Sequence, residues 1–226
     1  MILCGVDEAG RGPVMGPLVM AVYYLDESKL GVLSSLGLKD SKLLSPKRRE
    51  AFFVKLRELG DTKFAIIMPF KLNELMNTKT LNVIELEAAV ATLEKVYIGN
   101  TGSASNIDYN IYIDAFGPEA KLTAEFQRRL SFKAKIFAEH KADMKYPIVS
   151  AASIMAKVTR DRIIQRLKKE LGDFGSGYPA DPRTINFLKR WLREKRSVPP
   201  YVRTHWKTYT RLVAETASRS LEDFIE

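Results

Sequence analysis

"GVDEAGRGPVMGP", residues 5–17, decides how the rest of the chain is read. It ends an apolar run begun at Ile2 in two adjacent carboxylates, Asp7 and Glu8, then turns through Gly10, Arg11 and Gly12 into a second apolar run from Pro17 to Leu25. The pattern is that of two consecutive strands joined by a glycine loop. A dinucleotide-binding loop is excluded. The G-x-G-x-x-G spacing is missing, Pro13 intervenes, and a strand follows where a phosphate-binding helix should begin. Glycines at 10 and 12 let the backbone approach a ligand closely, with Arg11 presented between them, although a plain strand connection would use the same glycines.

Working outward, strands alternate with helices. "TKFAIIMPF" from Thr62, "YNIYIDAF" from Tyr109 and "FKAKIFAEH" from Phe132 read as further strands. Helices are predicted from Ser45, an N-cap followed by Pro46, over Leu81 to Tyr97, near Glu119 to Leu130, and from Pro147 to the stop signal Gly172. Two more helical stretches follow "DFGSGYPADP", separated by "VPP" at 198–200. The expected architecture is α/β: a mixed sheet flanked by helices over residues 1–172, with a small helical C-terminal lobe over 173–226 packed on it and ending in a tail.

With 226 residues and 46% hydrophobic content, the chain can bury a full core. Its apolar stretches are far shorter than a membrane span, and the N-terminal segment lacks the pattern of a signal peptide, so a cytoplasmic protein without membrane contact is expected. Cys4 is the single cysteine, and only His140 and His205 are histidines; neither a disulfide nor a zinc site has its ligands. Of the net charge of +9, residues 155–226 supply +7, with 16 Lys and Arg against 9 Asp and Glu. Such a basic face attracts a polyanion through counterion release, and on charge alone that reading stands level with a solvated helical surface.

The acids narrow the choice. Asp7 and Asp114 each end an apolar strand, and Asp143 follows a strand and precedes a helix. In open α/β sheets, strand ends are where ligands bind. Because neighbouring side chains of a strand face opposite ways, Asp7 and Glu8 serve one site only if the strand stops at Asp7, as Ala9 and Gly10 would allow. Carboxylates gathered in one place repel and need cations, which points to divalent metals with oxygen ligands. With a phosphodiester substrate, two Mg²⁺ about 3.5–4 Å apart would activate a water and stabilise the leaving oxygen.

These residues match a known family. Through "GVDEAGRGPVMGP", "LKDSKLLSPKRRE", "YIDA", "AEHKADMKYPIVSAASIMAKVTRDR", "GSGYPADPRT" and "RTHWKT", in that order, the sequence resembles ribonuclease HII, the type 2 ribonuclease H, in its archaeal form. The resemblance implies an RNase H-like catalytic domain over residues 1–172. It also implies Mg²⁺- or Mn²⁺-dependent cleavage of the RNA strand of RNA/DNA hybrids and at single ribonucleotides in duplex DNA, leaving 3′-hydroxyl and 5′-phosphate ends. The family's four metal-binding acids fall on Asp7, Glu8, Asp114 and Asp143. Its backbone reader of the 2′-hydroxyl falls on Gly10, Arg11 and Gly12, and its junction-selecting tyrosine on Tyr178. Lys42, Arg49, Lys157 and Arg160 match basic positions that the family places near substrate phosphates.

A type 3 enzyme would carry an additional N-terminal domain, whereas here the catalytic strand begins at residue 2. A noncatalytic hybrid-binding module would lack some acids, and a DNA-only nuclease would ignore the 2′-hydroxyl. Ser150, Ser153 and Lys157 form a small polar stripe on one helix, read as an allowance for close packing, and "THWKT" is read as a tie between the C-terminal helix and the body. The last nine residues, "SRSLEDFIE", resemble a degenerate sliding-clamp-binding peptide, with Leu221 and Phe224 as its anchors, Ser218 where glutamine is expected and Ile225 where a second aromatic is usual. A helix end packed on the body would show the same spacing. A monomer is expected.

Overall fold

The computed structural model describes the backbone of residues 1–38, 44–100 and 107–222, with side chains described as far as 218. Lys42 and Phe224 lie outside the described residues, and Leu221 is described by its backbone alone.

Five strands, β1 (Ile2–Ala9), β2 (Leu18–Asp26), β3 (Asp61–Ile67), β4 (Tyr109–Asp114) and β5 (Lys135–Glu139), form one mixed sheet in the order β3-β2-β1-β4-β5. β1 pairs antiparallel with β2, from Ile2 opposite Asp26 to Ala9 opposite Val19, and parallel with β4, from Ile2 beside Tyr109 to Val6 beside Ile113. β4 continues in parallel to β5. β1 and β2 are buried on both faces along most of their length, which accounts for their nearly unbroken apolar runs, whereas β4 alternates buried and half-buried residues.

Nine helices follow among the described residues: α1 (Leu30–Ser35), α2 (Pro46–Leu59), α3 (Pro69–Met76), α4 (Leu81–Asn100), α5 (Glu119–Arg129), α6 (Ala142–Lys145), α7 (Pro147–Leu171), α8 (Pro182–Lys195) and α9 (Lys207–Glu222). The mixed sheet flanked by helices is the expected fold class. α2 begins as its sequence demands, with the Ser45 side chain accepting from the Arg48 amide at 3.3 Å and Pro46 in the first turn. Two local expectations fail. The strand predicted through Phe70 ends at Ile67, because Pro69 opens α3 and its fixed φ suits a first helical turn. β1 runs on through Ala9, held by its ladder to β2, and does not stop at Asp7.

The described residues fall into two compact units that do not follow the boundary expected at residue 172. The first takes Met1–Ala9, Val19–Ile66 and Thr80–Thr159; the second takes Gly10–Leu18, Ile67–Lys79 and Arg160–Glu226. The C-terminal helices therefore form a unit together with the glycine loop after β1, because the apolar Val14 and Met15 of that loop are buried with Ile164, Phe174, Phe187 and Val202. The first unit's core joins the sheet to α4 and α5 through Val6, Val22, Ile111, Leu93 and Phe126. Cys4 is fully buried there. Gly5 lets α7 lie directly on β1: a Cβ at this position would fall on the Ile148 carbonyl and within 2.8 Å of the Val149 nitrogen.

Candidate active site

Parallel register brings the first two acids together. Val6 of β1 stands beside Ile113 of β4, so the next residue of each strand, Asp7 and Asp114, leaves the ladder at the same level. Asp143 arrives from the short α6, which follows β5 after a left-handed Lys141 with φ 59°. The Ala142 amide donates to Asp114 Oδ1 at 2.9 Å and ties the start of α6 to the end of β4. Oxygens of Asp7, Asp114 and Asp143 all lie within 4.8 Å of one another. Asp7 and Asp143 are buried, at 5% and 2% exposure.

Burial holds the Asp7 carboxyl well above the usual carboxylate range, and the charges of Glu8 and Asp114 push the same way. A hydrogen bond from Ser153 and the charge of Lys157 act against that rise. Lys157 in turn donates to Ser153 Oγ at 2.6 Å, so α7 presents an ammonium and then a hydroxyl to the Asp7 carboxylate of β1. Ser150 donates to the Asp143 carbonyl. Both serines are buried on α7, as close helix packing requires, and Ser153 in addition bonds the Asp7 carboxylate while Ser150 bonds only the Asp143 backbone. The spacing of four residues from Ser153 to Lys157 was the signal available in the sequence. Three gathered carboxylates, two of them buried, are a poor arrangement without positive charge among them, and hard oxygen ligands at this spacing suit a divalent cation. Glu8 is not in that close group; its amide donates to Asp7 Oδ1 at 2.7 Å.

Arg49, expected to contact phosphate, is half-buried and donates to the Leu44 carbonyl at 2.7 Å.

The second unit holds the other predicted residues. Gly10 has φ +92°, a left-handed conformation that favours glycine, and a Cβ there would come within 2.6 Å of Arg160 Nε. Gly12 is exposed, and a Cβ on it would stand 3.8 Å from the Tyr178 ring. Tyr178 is 42% exposed. Arg160, expected at a phosphate, is instead buried. Its guanidinium lies 5.2 Å from the Tyr178 ring centroid and 3.4 Å from the carbonyls of both Met15 and Ser176. It braces the two loops that carry Gly12 and Tyr178. Sequence reasoning missed Arg203 and the true target of Trp206, whose indole N–H donates to the Gly12 carbonyl at 3.2 Å.

Sheet order and helix placement are those of a ribonuclease H-like fold, and comparison with known proteins makes the chain an endoribonuclease of the ribonuclease H class. The family model described as Ribonuclease HII matches residues 4–209. Ribonuclease HII of Methanococcus maripaludis is 44% identical over 227 aligned positions, which span 100% of this chain and 92% of that protein. The crystal structure of the ribonuclease H2 from Pyrococcus horikoshii superposes with a TM-score of 0.85 at 41% identity, covering 96% of this chain and 99% of that one. The ribonuclease HII in the PCNA complex from Archaeoglobus fulgidus gives a TM-score of 0.81 at 40% identity over 93% and 96% of the two chains. The chain belongs to the ribonuclease HII family. No described helix is long and apolar enough to cross a membrane.

Proposed function

We propose that this chain cleaves the RNA strand of RNA/DNA hybrids and the phosphodiester at single ribonucleotides in duplex DNA, with divalent metal, leaving 3′-hydroxyl and 5′-phosphate ends. The observation that carries the proposal is the cluster of Asp7 on β1, Asp114 at the end of β4 and Asp143 on α6. These three, with Glu8 beside them, would hold Mg²⁺ or Mn²⁺, which supplies water activation and charge neutralisation at the scissile phosphate. The hydrogen bond from Ser153 and the charge of Lys157 favour the ionised form of Asp7 against its burial and the neighbouring acids. The backbone of Gly10, Arg11 and Gly12 would read the 2′-hydroxyl, and the exposed ring of Tyr178, beside Gly12, would pack on the neighbouring sugar.

A sliding clamp is a further proposed partner, through Leu221 and Phe224. The clamp complex of the Archaeoglobus fulgidus relative supports this, and tethering would raise the enzyme's local concentration on DNA. Binding of a synthetic peptide of residues 214–226 to the cognate clamp tests it; no binding at hundreds of micromolar excludes it.

The main reading is tested with a DNA duplex that does or does not contain one ribonucleotide, incubated in Mg²⁺, Mn²⁺ or EDTA. Cleavage only of the ribonucleotide-containing duplex, and only with metal, is expected. Cleavage of both duplexes would make this a DNA nuclease, and cleavage in EDTA would remove the metal assignment.

A further inference from the structure

Carbonyl after carbonyl of the glycine loop is held from one short segment near the C-terminus. The fully buried Arg203 donates from Nε to the Gly16 carbonyl at 2.9 Å and from Nη1 to the Arg11 carbonyl at 3.3 Å. Its own amide donates to the Val14 carbonyl at 2.8 Å. Trp206 takes the Gly12 carbonyl and lies with its ring 4.8 Å from the Arg203 guanidinium. A buried guanidinium suits this task because its planar fork offers several donors at fixed angles, and loop carbonyls away from water need donors.

We infer that Arg203 and Trp206 are positioning residues for sugar selection, setting the backbone of Arg11 and Gly12 in the orientation that reads a ribose. The link is covalent geometry. In a trans peptide the carbonyl of one residue and the N–H of the next point in opposite directions, and no described peptide here is cis. Fixing the Arg11 carbonyl toward Arg203 therefore fixes the Gly12 N–H on the other side. Fixing the Gly12 carbonyl toward Trp206 leaves no further N–H to orient, because Pro13 follows. The pair thus determines the direction of one exposed donor, at a residue with no side chain of its own. Loop glycines are freely rotating by nature, so discrimination of one hydroxyl requires that freedom to be removed from outside the loop.

The inference rests on the proposal that this loop reads the 2′-hydroxyl, and its test separates the two. Affinities are measured by fluorescence anisotropy for a duplex with one ribonucleotide and for its all-DNA counterpart, in full-length protein carrying Asp114→Asn to prevent cleavage. Trp206→Phe keeps an aromatic ring against Arg203 and deletes the N–H with part of the indole; Arg203→Lys keeps the charge and loses the fork. Expected is a fall of about fivefold in the preference for the ribonucleotide duplex for Trp206→Phe, with all-DNA affinity within about twofold of the parent. Arg203→Lys should lower the preference further. If the parent protein shows no preference, the reading of the loop itself fails. If the parent prefers the ribonucleotide and Trp206→Phe preserves that preference, even with a lowered melting temperature, the pair is structural and the inference is overturned.

Discussion

The acid cluster of the first unit and the glycine loop of the second solve opposite problems. At the cluster, three carboxylates are brought within 4.8 Å despite their repulsion, and a hydroxyl and an ammonium from α7 steady one of them. At the loop the groups proposed to meet the sugar are main-chain ones, and the charged side chains Arg160 and Arg203 point at backbone. Chemistry at a phosphate needs formal charge, which only side chains carry. Choosing one sugar over another needs a rigid donor and acceptor, which the backbone supplies once it is held.

This contrast can be broken by substitution, and the largest effect is expected at the acids. Asp114→Asn should reduce cleavage by about 10³-fold or more while leaving the preference for a ribonucleotide duplex intact, since an amide keeps the shape and loses the charge that binds metal. Single-turnover cleavage beside anisotropy measures both, and loss of the binding preference would merge the two regions into one. Gly5→Ala should cost about 3 kcal/mol in urea unfolding, because its methyl group must displace the α7 backbone. Ser153→Ala comes next. Removal of the hydroxyl between Lys157 and Asp7 should lower cleavage about tenfold, from a hydrogen bond to a charged group, with sugar preference unchanged.

The smallest effect is expected where the second loop is anchored. Asp181 accepts from the Ser176 amide at 2.7 Å and from the Arg183 amide at 3.0 Å, joining the loop before Tyr178 to the start of α8. Asp181→Ala should cost about 1 kcal/mol and blunt the preference for a single embedded ribonucleotide without weakening metal binding. The Ser176 amide and the Arg183 guanidinium hold this carboxyl well below its ordinary range. A depressed carboxylate stabilises the fold above its unfolded pKa, near 4, and loses that contribution as pH falls toward its folded value. The gap between wild-type and Asp181→Ala in urea unfolding should therefore be full at pH 7 and shrink progressively below about pH 4.

The same contrast explains what could be read in the sequence. "YNIYID" was legible as a strand ending in an acid, because a charge at the close of an apolar run is out of place, and β4 does end at Asp114. Asp7 was legible for the same reason, yet the continuation of β1 through Ala9 was not, since it depends on a ladder with β2 that no local pattern displays. α3 was hidden inside "IIMPF", where an apolar strand and a proline-started helix share their residues. Arg160 looks like a phosphate ligand in one dimension, and Arg203 carries no signal there at all. Only the folded chain reveals that their guanidinium groups serve carbonyls, because a carbonyl acceptor belongs to every residue type and leaves no mark in a sequence.

Cys4 gives the folded chain a built-in clock. It is the only thiol among 226 residues, it sits with no exposure in β1 three positions before Asp7, and burial drives its pKa far above the ordinary thiol value. Alkylating reagents attack the thiolate, so the native state is doubly protected, by access and by protonation. Modification must wait for β1 to open. The rate of irreversible labelling in excess reagent therefore counts openings of the strand that carries the first acid, with no probe introduced and no residue replaced.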